Sequence, residues 1–355
     1  MTIQLIITFI IGLVVLIFVH EFGHFIVCKL VGIGVEEFGF GYPPRALTLF
    51  ERGGTKYTVN WLPFGGFVRL KGETDPNAEG GWLSASPLKR IAMLLAGPTM
   101  NLLTALILFY LVFAIIGMMP DRNRVQLVEV LPSLPASQAG LQAGDVLVSI
   151  DGTIIHSLAE AQAQIYSNLG KPLAFVFIRD GVTQGVTVTP LLNPGSSGAI
   201  GVQLSNPMKA FEPIGAIPES ATSLYDYGTM LFSTIGQAIS GKANASEVRP
   251  VGIKGMYDMY AYIVRTPSVQ GIPKIANAFQ FFAIISFSLG VMNLLPIPPL
   301  DGGKIVFVLP ELIFRKRIPV KYEVWVSSVA FIILILLMLY INAQDFINPI
   351  MTPTP

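Results

Sequence analysis

The chain has 355 residues, of which 52% are hydrophobic and only 13% charged, and its mean hydropathy is +0.62. About a quarter of the residues of an ordinary soluble domain are charged, so this balance excludes that class. A net charge of +1 argues against a nucleic-acid partner, and the single cysteine, Cys28, excludes an internal disulfide or a cysteine-based zinc site.

In chain order, the first element is an apolar run over about residues 3–30. It lacks a preceding basic stretch and a small-residue cleavage site, so it reads as a retained transmembrane helix and not a signal peptide. No charge occurs from Leu5 to Val19; then His20-Glu21-Phe22-Gly23-His24 brings two imidazoles and a carboxylate. On a helix, His20 and His24 stand one turn apart on one face. This is the H-E-x-x-H arrangement, in which two neutral imidazoles share one Zn²⁺ and the adjacent Glu deprotonates a water. Ionisable groups within a span are costly and mark function by default. The bland alternative is a helix end emerging into water with a chance pair of histidines. Cys28, one turn beyond His24, reads as a small buried hydrophobe.

The connection that follows carries Arg45, Arg52, Lys56, Arg69, Lys71, Lys89 and Arg90. Within about 35–72, residues 55–61 and 66–70 read as short strands around the turn Pro63-Phe64-Gly65. This β-hairpin either dips back toward the histidines or lies at the interface without catalytic consequence. A second span, 91–119, contains no charged residue. From residue 120 the composition turns soluble. Strands at 125–130, 146–150, 173–179 and 185–189, a helix capped by Ser157, and a glycine-rich loop before a last strand make one α/β module over 120–205. Residues 206–273 read as an amphipathic helical linker at the outer membrane surface.

The third span, about 275–295, runs into Asn293-Leu294-Leu295-Pro296-Ile297-Pro298-Pro299-Leu300-Asp301-Gly302-Gly303. Three prolines cannot continue a helix, so the span ends or unwinds there. An Asp after a broken apolar helix is a natural third metal ligand, giving His₂Asp with one position open for water. The alternative is a turn Asp that proline and glycine alone explain. A fourth span covers 324–343, preceded by Lys304, Arg315, Lys316, Arg317 and Lys321. By the positive-inside rule, the hairpin and the 302–323 loop are cytoplasmic, while both termini and the α/β module lie outside. The absence of an Arg- and Ser-rich transit peptide favours a bacterial plasma membrane over an organelle.

Together with Ala96-Gly97-Pro98-Thr99-Met100-Asn101 in the second span, these two motifs resemble the site-2 protease family. The likeness runs nearly end to end and is closest to the bacterial metalloproteases of the sigma-E regulator type. It implies a polytopic α-helical membrane protein of four transmembrane helices, with a membrane-re-entrant β-hairpin and one inserted extracytoplasmic PDZ-like domain. The protease core would be split between 1–119 and 274–355. The resemblance also implies Zn²⁺ on His20, His24 and Asp301, Glu21 as general base, and Asn293 holding the substrate backbone or the oxyanion. The hairpin around Gly65, Gly66 and Phe67 would pair with substrate.

The module would be a circularly permuted PDZ domain, where better-known members carry two in tandem. Its loop Gly198-Ala199-Ile200-Gly201 would offer amides to a peptide C-terminus, unless the module acts as a size filter. The implied partners are the lipid bilayer and single-pass membrane proteins, such as a pre-cut anti-sigma factor or a remnant signal peptide. Two readings from other classes are a catalytically silent PDZ-containing membrane adaptor and a transporter. Glu21 beside a full ligand set speaks against the first. The lack of an internal repeat speaks against the second.

Overall fold

Four helices long and apolar enough to cross a membrane organise the chain: α1 (Thr2–Val31), α2 (Pro87–Ile116) and two more near the C-terminus. The computed structural model describes residues 2–73, 75, 77–195, 197–241, 249–266 and 272–349. It divides into two compact units, one of residues 1–116 with 220–355, the other of 117–219.

Between α1 and α2 of the first unit come β1 (Val35–Arg52) and β2 (Thr55–Leu70), which turn tightly at Gly53-Gly54. This corrects the expected hairpin, because both strands are long enough to reverse direction. Residues 37–40 pair with 66–69 on one side and with 56–59 on the other, while 45–52 pair with 55–60. The result is a sheet of four lanes in the order 66–70, 35–40, 55–60, 45–52. The reversal at residues 63–65 joins two lanes that are not neighbours. Glu37, almost fully buried, holds all four together. It accepts from Thr58 Oγ1 (2.8 Å) and Arg45 Nη2 (2.7 Å), and pairs with Arg69 Nη1 at 3.0 Å. Burial opposes its charge, but the hydrogen bonds from Arg45 and Thr58 prevail and keep the carboxyl below its ordinary range.

The second unit opens with β3 (Met118–Pro120) and β4 (Val125–Val130), followed by α3 (Pro135–Gln138), β5 (Val146–Ile150) and β6 (Thr153–Ile154). Then come α4 (Leu158–Tyr166), β7 (Leu173–Arg179), β8 (Val182–Val188), β9 (Val202–Ser205) and β10 (Met208–Ala210). The main sheet runs β8-β7-β5-β4-β9, with β6 on β5. Inward residues at alternate positions of the strands, Val125 with Leu127 and Phe175 with Phe177, form its core. Ser157 caps α4 by accepting the Glu160 N–H at 3.2 Å, and the Glu160 carboxylate accepts the N–H of His156, the residue before the cap, at 2.8 Å. Asp145, wholly buried, takes two hydrogen bonds of 2.7 Å from Arg179 and one of 2.8 Å from the Gln142 amide. A buried carboxylate satisfied in this bidentate way is a fixed feature of the module. The unit also takes in residues beyond 205, through the β3–β10 ribbon and an Arg122–Glu219 ion pair of 2.8 Å.

The remaining elements are α5 (Ala216–Ile239), α6 (Ile253–Arg265), α7 (Lys274–Leu294), α8 (Asp301–Phe314) and α9 (Val320–Ile347). The 302–323 connection, expected as a loop, is therefore mostly helix. Its Glu311 accepts from Arg90 of α2 and, at 2.7 Å, from Arg317. Within 206–273, α6 is tied into the first unit: its Tyr260 packs among Phe9, Phe281 and Phe282 of α1 and α7, and the hydroxyl donates to Thr8 at 2.9 Å. Helices α1, α2 and α7 approach closely at small residues, the usual device where lipid supplies no hydrophobic drive. Gly23 faces the Ala96 carbonyl of α2, and Gly290 of α7 faces the Pro98 carbonyl. By contrast α9 is peripheral, with no buried residue in its apolar window; Asp345, near its end, caps α6 through the amides of Gly252 and Gly255, both at 2.9 Å.

Candidate metal centre

An uninterrupted helix through residue 24 makes the two histidines neighbours, as their spacing requires. The Nε2 atoms of His20 and His24 are 3.1 Å apart, and Asp301 Oδ2 lies 3.2 and 3.3 Å from them. All three residues are buried. The chain reaches this point a second time because α7 stops at Leu294 and residues 295–300 cross over before α8 begins on Asp301 itself. A carboxylate at that position faces the positive end of the helix dipole. Close packing fixes it further: a Cβ on Gly302 would fall 2.3 Å from the Leu294 carbonyl oxygen, and one on Gly303 2.5 Å from the Pro298 nitrogen.

The donor atoms suit a metal better than they suit one another. His24 Nδ1 lies 2.8 Å from the Met93 carbonyl oxygen, which can only accept. The proton of the neutral ring is therefore on Nδ1, and Nε2 presents a bare lone pair to Asp301. Asp301 Oδ2 is buried and has no hydrogen-bond partner among the described residues. Lone pairs converging this closely repel unless a cation lies among them. With zinc–ligand bonds of about 2.0–2.2 Å, the edge of a coordination tetrahedron is roughly 3.3–3.6 Å. The observed separations of 3.1–3.3 Å are close to one face of it. Glycine makes room for the rings, since a Cβ on Gly97 of α2 would lie 2.4 Å from His24 Nε2 and 2.7 Å from His20 Cε1.

The three donors, Glu21, Asn293 and Lys304 line one cavity of about 400 Å³. Val68 and Leu70 of β2 also line this cavity, and of Gly65, Gly66 and Phe67 it is Gly66 that reaches the site: a Cβ there would stand 3.4 Å from Glu21 Cγ. Gly65 sits at the reversal with φ +88°, and the Phe67 ring covers Gly39. Gly198, Ile200 and Gly201 belong to the other unit. Carbonyls of Ala199, Ile200 and Gly201 accept from Leu191, Ala136 and Leu131. Among the described residues no backbone carbonyl meets the amides of Ala199 and Ile200. In the sequence Met93 has no role and Asn101 only a place in the second-span motif, yet these are the partners of the two imidazoles. Asn101, a polar residue in a span without charge, was the available signal.

Three convergent donors that could hold a metal ion, set among helices long and apolar enough to cross a membrane, fit a membrane metalloenzyme. The sequence pattern of peptidase family M50 matches residues 8–337, and the chain belongs to that family. A Clostridium perfringens relative named as a zinc metalloprotease is 35% identical, over 95% of this chain and 96% of its own. The zinc metalloprotease RasP of Geobacillus kaustophilus is 27% identical, over 97% and 98% respectively. A solved PDZ domain of an SdrC-like protein from Listeria monocytogenes is 23% identical across 24% of this chain and 87% of that one, with a TM-score of 0.21. The protein is thus a multi-pass membrane zinc metalloendopeptidase of the site-2 protease type.

Proposed function

We propose that this peptidase cuts bonds inside the membrane-spanning segments of single-pass proteins. The observation that carries the reading is the contact of a sheet edge with the metal site, where Gly66 stands against Glu21. A substrate helix masks its own peptide bonds and must unwind before it can be cut. Its freed backbone groups then need partners, because lipid offers none. Lane 66–70 is an edge of the four-lane sheet and supplies them by strand addition.

His20, His24 and Asp301 would hold the zinc, which when bound would supply Lewis acidity to water and to the scissile carbonyl. Glu21 takes the proton from the attacking water and later delivers it to the leaving amine. Asn293, in the same cavity, donates its amide N–H to the developing oxyanion. Loss of such a donor costs about 10²–10³ in rate. Expected substrates are stubs already shortened outside, such as a pre-cut anti-sigma factor or a remnant signal peptide. The module of residues 120–205 is PDZ-like and acts first as a size filter, because exclusion of bulky ectodomains needs no affinity. The loop amides of 199–201 are where a peptide C-terminus would bind if it were instead a receptor.

Reconstituted in liposomes, the full chain should cut a single-pass stub at a bond within its apolar segment, located by mass spectrometry. Cleavage confined to soluble flanks would refute the intramembrane reading. Residues 126 and 205 pair across β4 and β9, so 125–204 can be excised and closed by a short linker. That variant should cut intact-ectodomain substrates that the full chain refuses, and the stub at a similar rate. A slower stub with intact proteins still refused would make the module a receptor.

The basic connections support an orientation with the four-lane sheet and α8 in the bacterial cytoplasm and both termini and the module outside. A cysteine at Gly195 should then react with an impermeant reagent added to intact cells, and one at Lys316 should not. The reverse labelling would invert the orientation.

A further inference from the structure

We propose that Asn101 is a positioning residue for the metal: its side-chain carbonyl accepts the Nδ1 proton of His20, so that the ring presents Nε2 to zinc. The inference rests on the reading of His20 as a ligand. Asn101, in the middle of α2, is 1% exposed, and its amide group lies 3.3 Å from His20 Nδ1. Among the described residues, Asn101 is the polar partner of His20 Nδ1. His24 differs, because a backbone carbonyl fixes its ring.

The two ends of an amide have the same shape, and chemistry decides between them. With the nitrogen toward the ring, Asn101 donates and His20 Nδ1 must be bare. The ring proton then sits on Nε2, the atom 3.1 Å from His24 Nε2 and 3.2 Å from Asp301 Oδ2, and blocks the ligand position. Asn101 Oδ1 is also left buried without a partner. With the oxygen toward the ring, both faults vanish together: Oδ1 gains a donor and Nε2 gains a free lone pair. The backbone is held at this point, since Ser286 of α7 donates to the Asn101 carbonyl at 2.8 Å. The side chain is thereby set at the ring from a helix anchored by its neighbour.

The whole chain contains three histidines, which makes their ring nitrogens separable by ¹⁵N NMR of histidine-labelled protein. In the purified full chain at neutral pH, stripped of zinc, His20 should carry its proton on Nδ1; a proton on Nε2 overturns the proposal without any variant. Zinc affinity, read by competition with a chromophoric chelator, supplies the second arm. Asn101→Leu should bind about 10–100-fold more weakly, as when a supporting hydrogen bond to a metal ligand is lost. Asn101→Asp, which keeps an acceptor, should bind within a few-fold of the parent. Equal weakening in both variants would mean that only packing was lost, and the positioning role would fall. His20→Ala separates the two layers. If it binds zinc as tightly as the parent, the ligand reading itself has failed. If it loses zinc while Asn101→Leu does not, the ligand stands and the positioning role is wrong.

Discussion

Glu21→Gln should retain a full complement of zinc and lose cleavage by at least the 10²–10⁴-fold typical of a missing general base. The amide keeps the length and shape of the carboxylate, so the packing against Gly66 need not change. His20, His24 and Asp301 are untouched, so the metal stays. What disappears is the ability to hold a proton between water and the leaving amine. Metal content by mass spectrometry and stub cleavage in the same preparation give both readings. Turnover within a few-fold of the parent would remove Glu21 from the chemistry. Loss of zinc along with activity would instead make its role structural.

Asp301→Ala should lose zinc and activity together. It deletes one of three convergent donors and leaves two imidazole lone pairs 3.1 Å apart with nothing opposite them. The fall in affinity should exceed the roughly 10–100-fold of a lost supporting hydrogen bond. Asp301 also begins α8, where a negative charge favours the helix, so a stability control is needed. Asp301→Asn provides it, keeping the shape and one neutral oxygen while removing the charge; its zinc affinity should fall between alanine and the parent. Full zinc and full activity in the alanine variant would move the third ligand elsewhere.

What could be read in advance follows the range of the interactions. The pair His20 and His24 is legible because one helical turn relates them, and no other part of the fold is needed. Asp301 shows because a run of prolines and glycines announces a broken helix wherever it falls. By contrast, the partners of the imidazoles lie 69 and 81 residues away, on a helix whose apolar pattern and motif do not say which residue meets which ring. The four-lane sheet was half seen. Residues 55–61 and 66–70 have strand character, but β1 contains Gly39, Gly41, Pro43 and Pro44, which locally argue against any strand. Tertiary pairing and the Glu37 cluster override them. Strands β3 and β10, three residues each, are too short for alternation to show. Helix α8 was hidden by Pro310 and the basic cluster at 315–317, which suggest a loop more strongly than its apolar face suggests a helix.

The glycines around the metal have a consequence for how this centre tolerates change. At Gly97, Gly302 and Gly303, even a methyl group would occupy space already held by an imidazole or by backbone. The centre is therefore defined as much by forbidden volume as by the groups that act in it. A variant can keep every donor, base and hydrogen-bonding partner and still fail, because a single carbon atom elsewhere has displaced a ring. Engineering that grafts only His20, Glu21, His24 and Asp301 onto another helical scaffold should transfer the chemistry only if the hollow is transferred with it.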